Sequence, residues 1–472
     1  MYLFRSGANF YERGIGVFDH VIINGVIVTA NWRGRANIAI KNGRIVAISS
    51  APLFRDAAET YDVSGKIVIP ALVDGHVHLR DPGFTGKEDF FTGTCAAAAG
   101  GYGTVIAQPN TDPPVTDEYG VEKLISIGKS RSVVDFSLSA QVTPENLDRL
   151  APLKEAGVIS FDAASCDVPD QWILREGSDL WRLFQDAAGL GVPVAFYATD
   201  SSMVKSMAES LQRERRIDPL AWSDSRPPVA EAAEIARISR IAAVTGVELL
   251  FRQVSTTESL DIIKAMRSLS PRPNISVEVN PHHLFLDRND LARLGPFGKM
   301  APPLRDSETV RGIWQNLHDG FIDLIGGDHA PHTKSEKNAG RENIWESPSG
   351  VPTLETALPL MLNVAHRGEI CIEQVVRLMS EGPARWLGLY PFKGTIAVGS
   401  DADIVILDLK TSWEIRGEQM KGKCKWTPFE GTKVTGRVEN TMIRGKWVFG
   451  QDGILVEPGF GQFVSAPARR RR

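Results

Sequence analysis

Two kinds of hydrophobic patterning divide the chain. From about residue 17 to residue 70, short apolar runs carry turn signals, Asn24-Gly25 within VIINGVIV and Asn42-Gly43 within IAIKNGRIVAI. Asn-Gly accepts the positive φ angles of tight two-residue turns, so each run predicts paired strands of a small β module. From about residue 71 apolar strands alternate with helical segments. An alanine-rich helix ends at Gly100-Gly101, for example, and the strand-like Thr104-Val105-Ile106-Ala107 follows it. Such alternation predicts parallel strands joined by helical crossovers. It persists to about Leu389, a span of roughly 320 residues that suits an eight-fold barrel with insertions. A doubly wound sheet competes, but no GxGxxG follows an early strand. After Lys393 β signals return in KGTIAVGSDADIVILDL and VENTMIRGKWVF. The two β regions, 1–70 and 390–472, predict one annex built from both chain ends, with the barrel, 71–389, between them.

Composition narrows the function classes. With 472 residues, 43% hydrophobic and 23% charged, the chain reads as an ordinary globular protein with a large core. Lysine and arginine number 53 against 57 aspartates and glutamates, a net charge of −4, which argues against a nucleic-acid or anionic-membrane partner. The four cysteines, Cys95, Cys166, Cys371 and Cys424, form no CxxC pair, so reduced thiols and a cytoplasmic location are expected. No apolar leader and no run long enough to span a bilayer is evident, which predicts a soluble protein. The arginine run at 469–472 reads as a solvated tail.

The chemistry concentrates at the ends of apolar runs. In IVIPALVDGHVH, His76 and His78 stand two apart, so on a strand both imidazoles face one side and can reach one metal ion from a barrel mouth. Alone, such a pair also suits satisfied or exposed histidines. In IDLIGGDHAPHTKSEK an apolar strand ends at Asp328, followed by His329 and His332, where a barrel places a metal ligand or general base and where a helix cap would also fit. Asp162 ends a third such run, AGVISFDAASCD. Two histidines and two carboxylates from three strand ends fit a four-ligand site for zinc or a related divalent metal.

With these residues in view, the chain resembles the cyclic amidohydrolases, most closely dihydroorotase, with hydantoinase and allantoinase as relatives. The segments HVHLRDPG, AAAAGGYGTVIAQPNT, SRPPVAEAAEIARI, VNPHHLFL, APPLR, GGDHAPHTKSEK and GVPTLETALPL carry the resemblance in the family order over nearly the whole chain. It implies a distorted (β/α)8 barrel with a β-sandwich annex and a homodimer or homotetramer. It also implies a metal on His76, His78 and Asp328, with Asp328 as acid/base and Asp162 in the place of the family's bridging carboxylated lysine. Tyr197 and Gln253 stand where relatives place histidines for a second metal. One divalent ion per subunit is therefore expected, zinc first, with manganese or cobalt as alternatives. Arg80, Asn110 and His332 match the residues that hold a substrate carboxylate, and Gln253 joins them as a substrate contact. Ala301 replaces an asparagine expected to reach the ring amide, and His282 and His283 read as supporting histidines.

The resulting expectation is a mononuclear hydrolase of a cyclic amide or imide bearing a carboxylate. Asp328 moves the proton, and Tyr197 donates to the developing oxyanion with help from Gln253 or Arg252. Two alternatives stand beside it: a non-catalytic structural or regulatory homologue, and a true dihydroorotase.

Overall fold

The structure is a computed structural model that describes residues 17–465 apart from 52, 53, 55 and 270–272. The arginine run at 469–472 lies outside the described residues.

Eight parallel strands form the barrel: β6 (Leu72–Val77), β7 (Tyr102–Ala107), β8 (Asp135–Gln141), β9 (Ser160–Ala164), β10 (Val194–Tyr197), β11 (Glu248–Phe251), β12 (Asn274–Val279) and β13 (Leu324–Ile325). They neighbour one another in chain order, and a parallel bridge between Val77 and His329 draws the last strand's extension back to the first. The strands are nearly all buried because helices cover their outer face, as a parallel sheet requires. One end of the barrel is plugged. Val73, Ile106, Ile159, Ala195, Leu250 and Leu324 pack inside against Ala384, Trp386, Leu387 and Leu389, leaving the C-terminal strand ends as the face where a site can form.

The annex is a separate nine-stranded sheet. Its N-terminal strands are β1 (Phe18–Thr29), β2 (Trp32–Lys41), β3 (Arg44–Ser49), β4 (Ala57–Asp62) and β5 (Ile67–Pro70). Its C-terminal strands are β14 (Ile404–Glu414), β15 (Lys433–Ile443), β16 (Lys446–Gly450) and β17 (Gly453–Ile454). The two sets join where β5 pairs antiparallel with β14, Val68 opposite Ile406. Hydrogen bonding runs on as one continuous strand order through both sets. Ile22, Ile38, Ile40, Val68, Ile404 and Met442 share one core across both sets.

The two Asn-Gly signals resolve differently. Asn42-Gly43 turns β2 into β3, with φ of 51° and 74°. Asn24-Gly25 makes no turn: β1 runs through it with a bulge, Asn24 at φ 66° and the register against β2 shifting between Ile22 and Gly25. The flanking apolar residues continue into one buried strand, so the positive φ is absorbed as a bulge. The alanine-rich helix spans Phe90–Ala99 with Gly100 as its C-cap, as the pattern predicts.

A buried ionic cluster ties annex to barrel at the plugged end. Lys393 Nζ reaches Asp135 and Asp403 at 2.6 Å each and Asp401 at 3.0 Å. At the opposite end, the segment between β14 and β15 lies over the barrel loops. Lys421 and Gly422 donate backbone N–H to Glu355 at 2.7 and 3.1 Å, and Trp426 Nε1 donates to the His332 carbonyl at 2.7 Å.

Candidate active site

His76 near the end of β6 and His78 just beyond it turn toward Asp328, which follows β13. Both Nε2 atoms meet the same carboxylate oxygen, Asp328 Oδ1, at 3.3 and 3.1 Å. Among the described residues these three alone form a group whose donor atoms all lie within 4.8 Å of one another. Two imidazole nitrogens and one carboxylate oxygen suit zinc, manganese or cobalt, and three protein donors leave a coordination position open.

Each donor is held from behind. His76 Nδ1 lies 2.9 Å from Glu278 Oε1 and His78 Nδ1 lies 2.7 Å from Asn110 Oδ1, so each ring gives its Nδ1 hydrogen away and keeps an Nε2 lone pair facing inward. Gln253 Nε2 donates to Asp328 Oδ2 at 2.6 Å. Burial opposes the charge on Asp328, but the surrounding histidines, His76 first, outweigh it and hold the carboxyl well below the usual range. Burial likewise lowers His78 to about 4, whereas Asp328 and Glu278 raise His76 against the effect of burial and of Arg252.

Close packing under Asp328 explains the two glycines that precede it. A Cβ on Gly326 would run into the Glu278 carboxylate, and one on Gly327 into that of Asp74. Asp74 accepts the Gly327 and His76 backbone N–H groups at 3.0 and 2.9 Å. Asp328, Gln253, Arg80 and Asp167 all hold positive φ, between 44° and 59°. Asp328 and Gln253, joined by a hydrogen bond, are thus both held in strained backbone.

Asp162, the other expected ligand, is placed differently. Its Oδ1 accepts from Arg252 Nη1 at 2.9 Å, outside the three-residue group. Tyr197, expected as an oxyanion donor, has its phenol hydrogen on Asp167 at 2.8 Å. Asp167 also binds the Arg226 guanidinium, which stacks over the Trp222 ring at 3.2 Å. Arg80 is buried, and among the described residues its guanidinium meets the His332 ring, at 3.5 Å, while its Nε has no partner. Burial lowers this guanidinium to about 10. His332 Nε2 gives its hydrogen to the Ser349 carbonyl at 2.9 Å, so its Nδ1 faces Lys87 Nζ at 3.4 Å as an acceptor. Ala301 packs against Ala221, Trp222, Ile344 and Trp345, an apolar wall. His283 Nε2 reaches the Pro302 carbonyl at 3.0 Å, whereas both nitrogens of buried His282 lack partners.

Sequence reasoning missed Glu278, Gln108 and Asp74. Glu278 had a signal: one acid inside the otherwise apolar end of a buried strand, NISVEV. The adjacent glycines before Asp328 were a second.

Comparison with known proteins identifies the family. The family described as "Amidohydrolase family" matches residues 224–448, and that described as "Dihydro-orotase-like" matches residues 65–259. An L-hydantoinase of Paenarthrobacter aurescens is 33% identical over 95% of this chain and 98% of its own. A dihydroorotase of Methanosarcina mazei is 35% identical over 92% of this chain and 95% of its own. An allantoinase of Escherichia coli is 31% identical over 95% and 98%. Among solved structures, the L-hydantoinase (dihydropyrimidinase) from Arthrobacter aurescens superposes with a TM-score of 0.92 at 32% identity, covering 95% of this chain and all of that one. The chain belongs to the amidohydrolase family. Within it, the chain is a cyclic amidohydrolase of the dihydroorotase-like group. No helix among the described residues is long and apolar enough to cross a membrane.

Proposed function

We propose that the protein hydrolyses the C–N bond of a small cyclic amide or imide that bears a carboxylate, using one divalent metal held by His76, His78 and Asp328. The observation that carries this reading is the convergence of those three donors at the open barrel mouth. A divalent ion there supplies Lewis acidity and a water that ionises near neutral pH. The chain's own residues do the rest. Asp328 Oδ2, oriented by the Gln253 amide, takes the proton released as water adds to the ring carbon and returns it to the nitrogen as the C–N bond breaks.

A buried guanidinium beside an imidazole is costly unless an anion completes it, which supports Arg80 as the grip on a substrate carboxylate. Asn110, whose oxygen is committed to His78, keeps its amide NH2 for the substrate. The apolar wall at Ala301 supports a ring edge that needs no hydrogen bond there.

The test is metal content per chain by plasma mass spectrometry on untagged wild type and on His76→Ala/His78→Ala, followed by a screen of cyclic amides with and without a carboxylate. The expected result is one metal per chain, lost in the double variant, with hydrolysis confined to carboxylated rings. A wild type that takes up no zinc, manganese or cobalt when supplemented refutes the reading.

A further inference from the structure

Arg252 follows β11, and its side chain is 2% exposed. Nη1 donates to Asp162 Oδ1 at 2.9 Å and also to Gln108 Oε1, while Nη2 donates to the Gly75 carbonyl at 3.1 Å. Gln108 Nε2 reaches the same Gly75 carbonyl at 2.9 Å. That carbonyl is free because the pairing of β6 with β7 slips between Asp74 and Val77, so two side-chain donors satisfy it. The guanidinium is thereby pinned to β6, to β9 and to Gln108 just past β7, and only its link to Asp162 involves a residue with appreciable exposure, 20%.

We propose that Arg252 is a positioning residue that withholds Asp162 from the metal, so that the ion is held by His76, His78 and Asp328 alone. This rests on the reading of those three as the metal site. A guanidinium stays charged at any working pH and matches a carboxylate closely, so it competes with a cation for the same oxygen and repels a divalent ion approaching it. The geometry agrees: Asp162 lies outside the group of mutually close donors that the other three form. The position that a fourth protein donor would fill is left for water and substrate.

Cobalt(II) is the probe, because its visible d–d absorption is strong in four-coordinate sites and weak at higher coordination. Stoichiometry, affinity and spectrum are measured on the full chain and its variants, independently of turnover. Wild type should bind one cobalt per chain, and Asp162→Asn should keep both spectrum and affinity, within roughly threefold. Asp328→Asn should lose at least about 100-fold, beyond the roughly 10–100-fold typical of residues that only support a ligand. Arg252→Met frees Asp162 to take the water's position as a fourth protein donor, which should raise cobalt affinity about tenfold or more and shift the visible bands. Arg252→Met/Asp162→Asn should restore the wild-type spectrum, and Arg252→Lys should keep it. Loss of affinity by tenfold or more in Asp162→Asn, or two cobalt ions per wild-type chain, overturns the proposal. Should Arg252→Met fail to fold, the Asp162→Asn result decides alone. A wild type that binds no cobalt and no zinc refutes the metal site itself, a different outcome from one cobalt whose affinity depends on Asp162.

Discussion

Replacing Glu278 by leucine removes the acceptor of the His76 Nδ1 hydrogen, 2.9 Å away, and leaves that hydrogen buried beside an apolar side chain. Two effects follow from the geometry. The ring loses the partner that fixes its tautomer, so Nε2 no longer carries the lone pair by default. A buried donor without a partner also costs about 1–3 kcal/mol. Loss of such a supporting acceptor weakens metal binding by roughly 10–100-fold, or about 1.4–2.7 kcal/mol. Glu278→Gln keeps an oxygen that can accept from the ring and loses only the charge, so it should fall near the lower limit and Glu278→Leu near the upper. The assay is competition for zinc against a chromogenic chelator of known affinity at neutral pH. Thermal melts of the metal-free variants separate a folding defect from a binding defect. Affinities within about twofold of wild type for both variants, in proteins that melt normally, would refute the claim that Glu278 orients His76 for a metal.

Three other outcomes are expected. Tyr197→Phe removes a hydrogen bond to Asp167 and should lower stability by about 1 kcal/mol in denaturant melts with little change in turnover; a large fall in kcat at unchanged stability would show the phenol leaving Asp167 to serve the reaction. Burial pushes Glu355 up to about 7 from an ordinary 4.5, so the folded chain holds a proton that the unfolded chain has released. Its contribution to stability is full below pH 4.5 and is lost as pH rises through 7, up to about 3 kcal/mol in all. Glu355→Gln should therefore gain stability relative to wild type across that window, and parallel melting curves for the two from pH 4.5 to 8 would exclude this role. Trp426→Phe keeps the ring that meets Phe297 edge-on at 4.9 Å but deletes the donor to the His332 carbonyl. It should raise KM roughly fivefold with kcat nearly unchanged, and a loss of stability alone would limit Trp426 to packing.

The barrel and the sheet built from both ends were legible because alternation and strand composition are local signals, and the long α/β stretch had only two plausible closures. His76, His78 and Asp328 were legible for the same reason: each sits where an apolar strand runs out into polar residues. Asp162 and Tyr197 show where a single chain of letters stops informing. Tyr197 ends β10 and Asp162 lies inside β9, but what each touches depends on Arg252 and Asp167, which reach them from other strand ends and loops. The same holds for Asn24-Gly25, whose conformational preference was read correctly while its use as a bulge was decided by pairing with β2. Long-range partners, not local preferences, made these choices.

The joining of β5 to β14 has a consequence for how the chain is made. Val68 leaves the ribosome long before Ile406, and at about 5–20 residues per second the wait lasts tens of seconds. Throughout it the nascent protein carries an open strand edge and half of an apolar core. Trp426, which steadies His332 at the mouth, arrives later still. A chain cut short by premature termination thus exposes β5 to proteases and chaperones, and the union of the two ends marks a finished molecule.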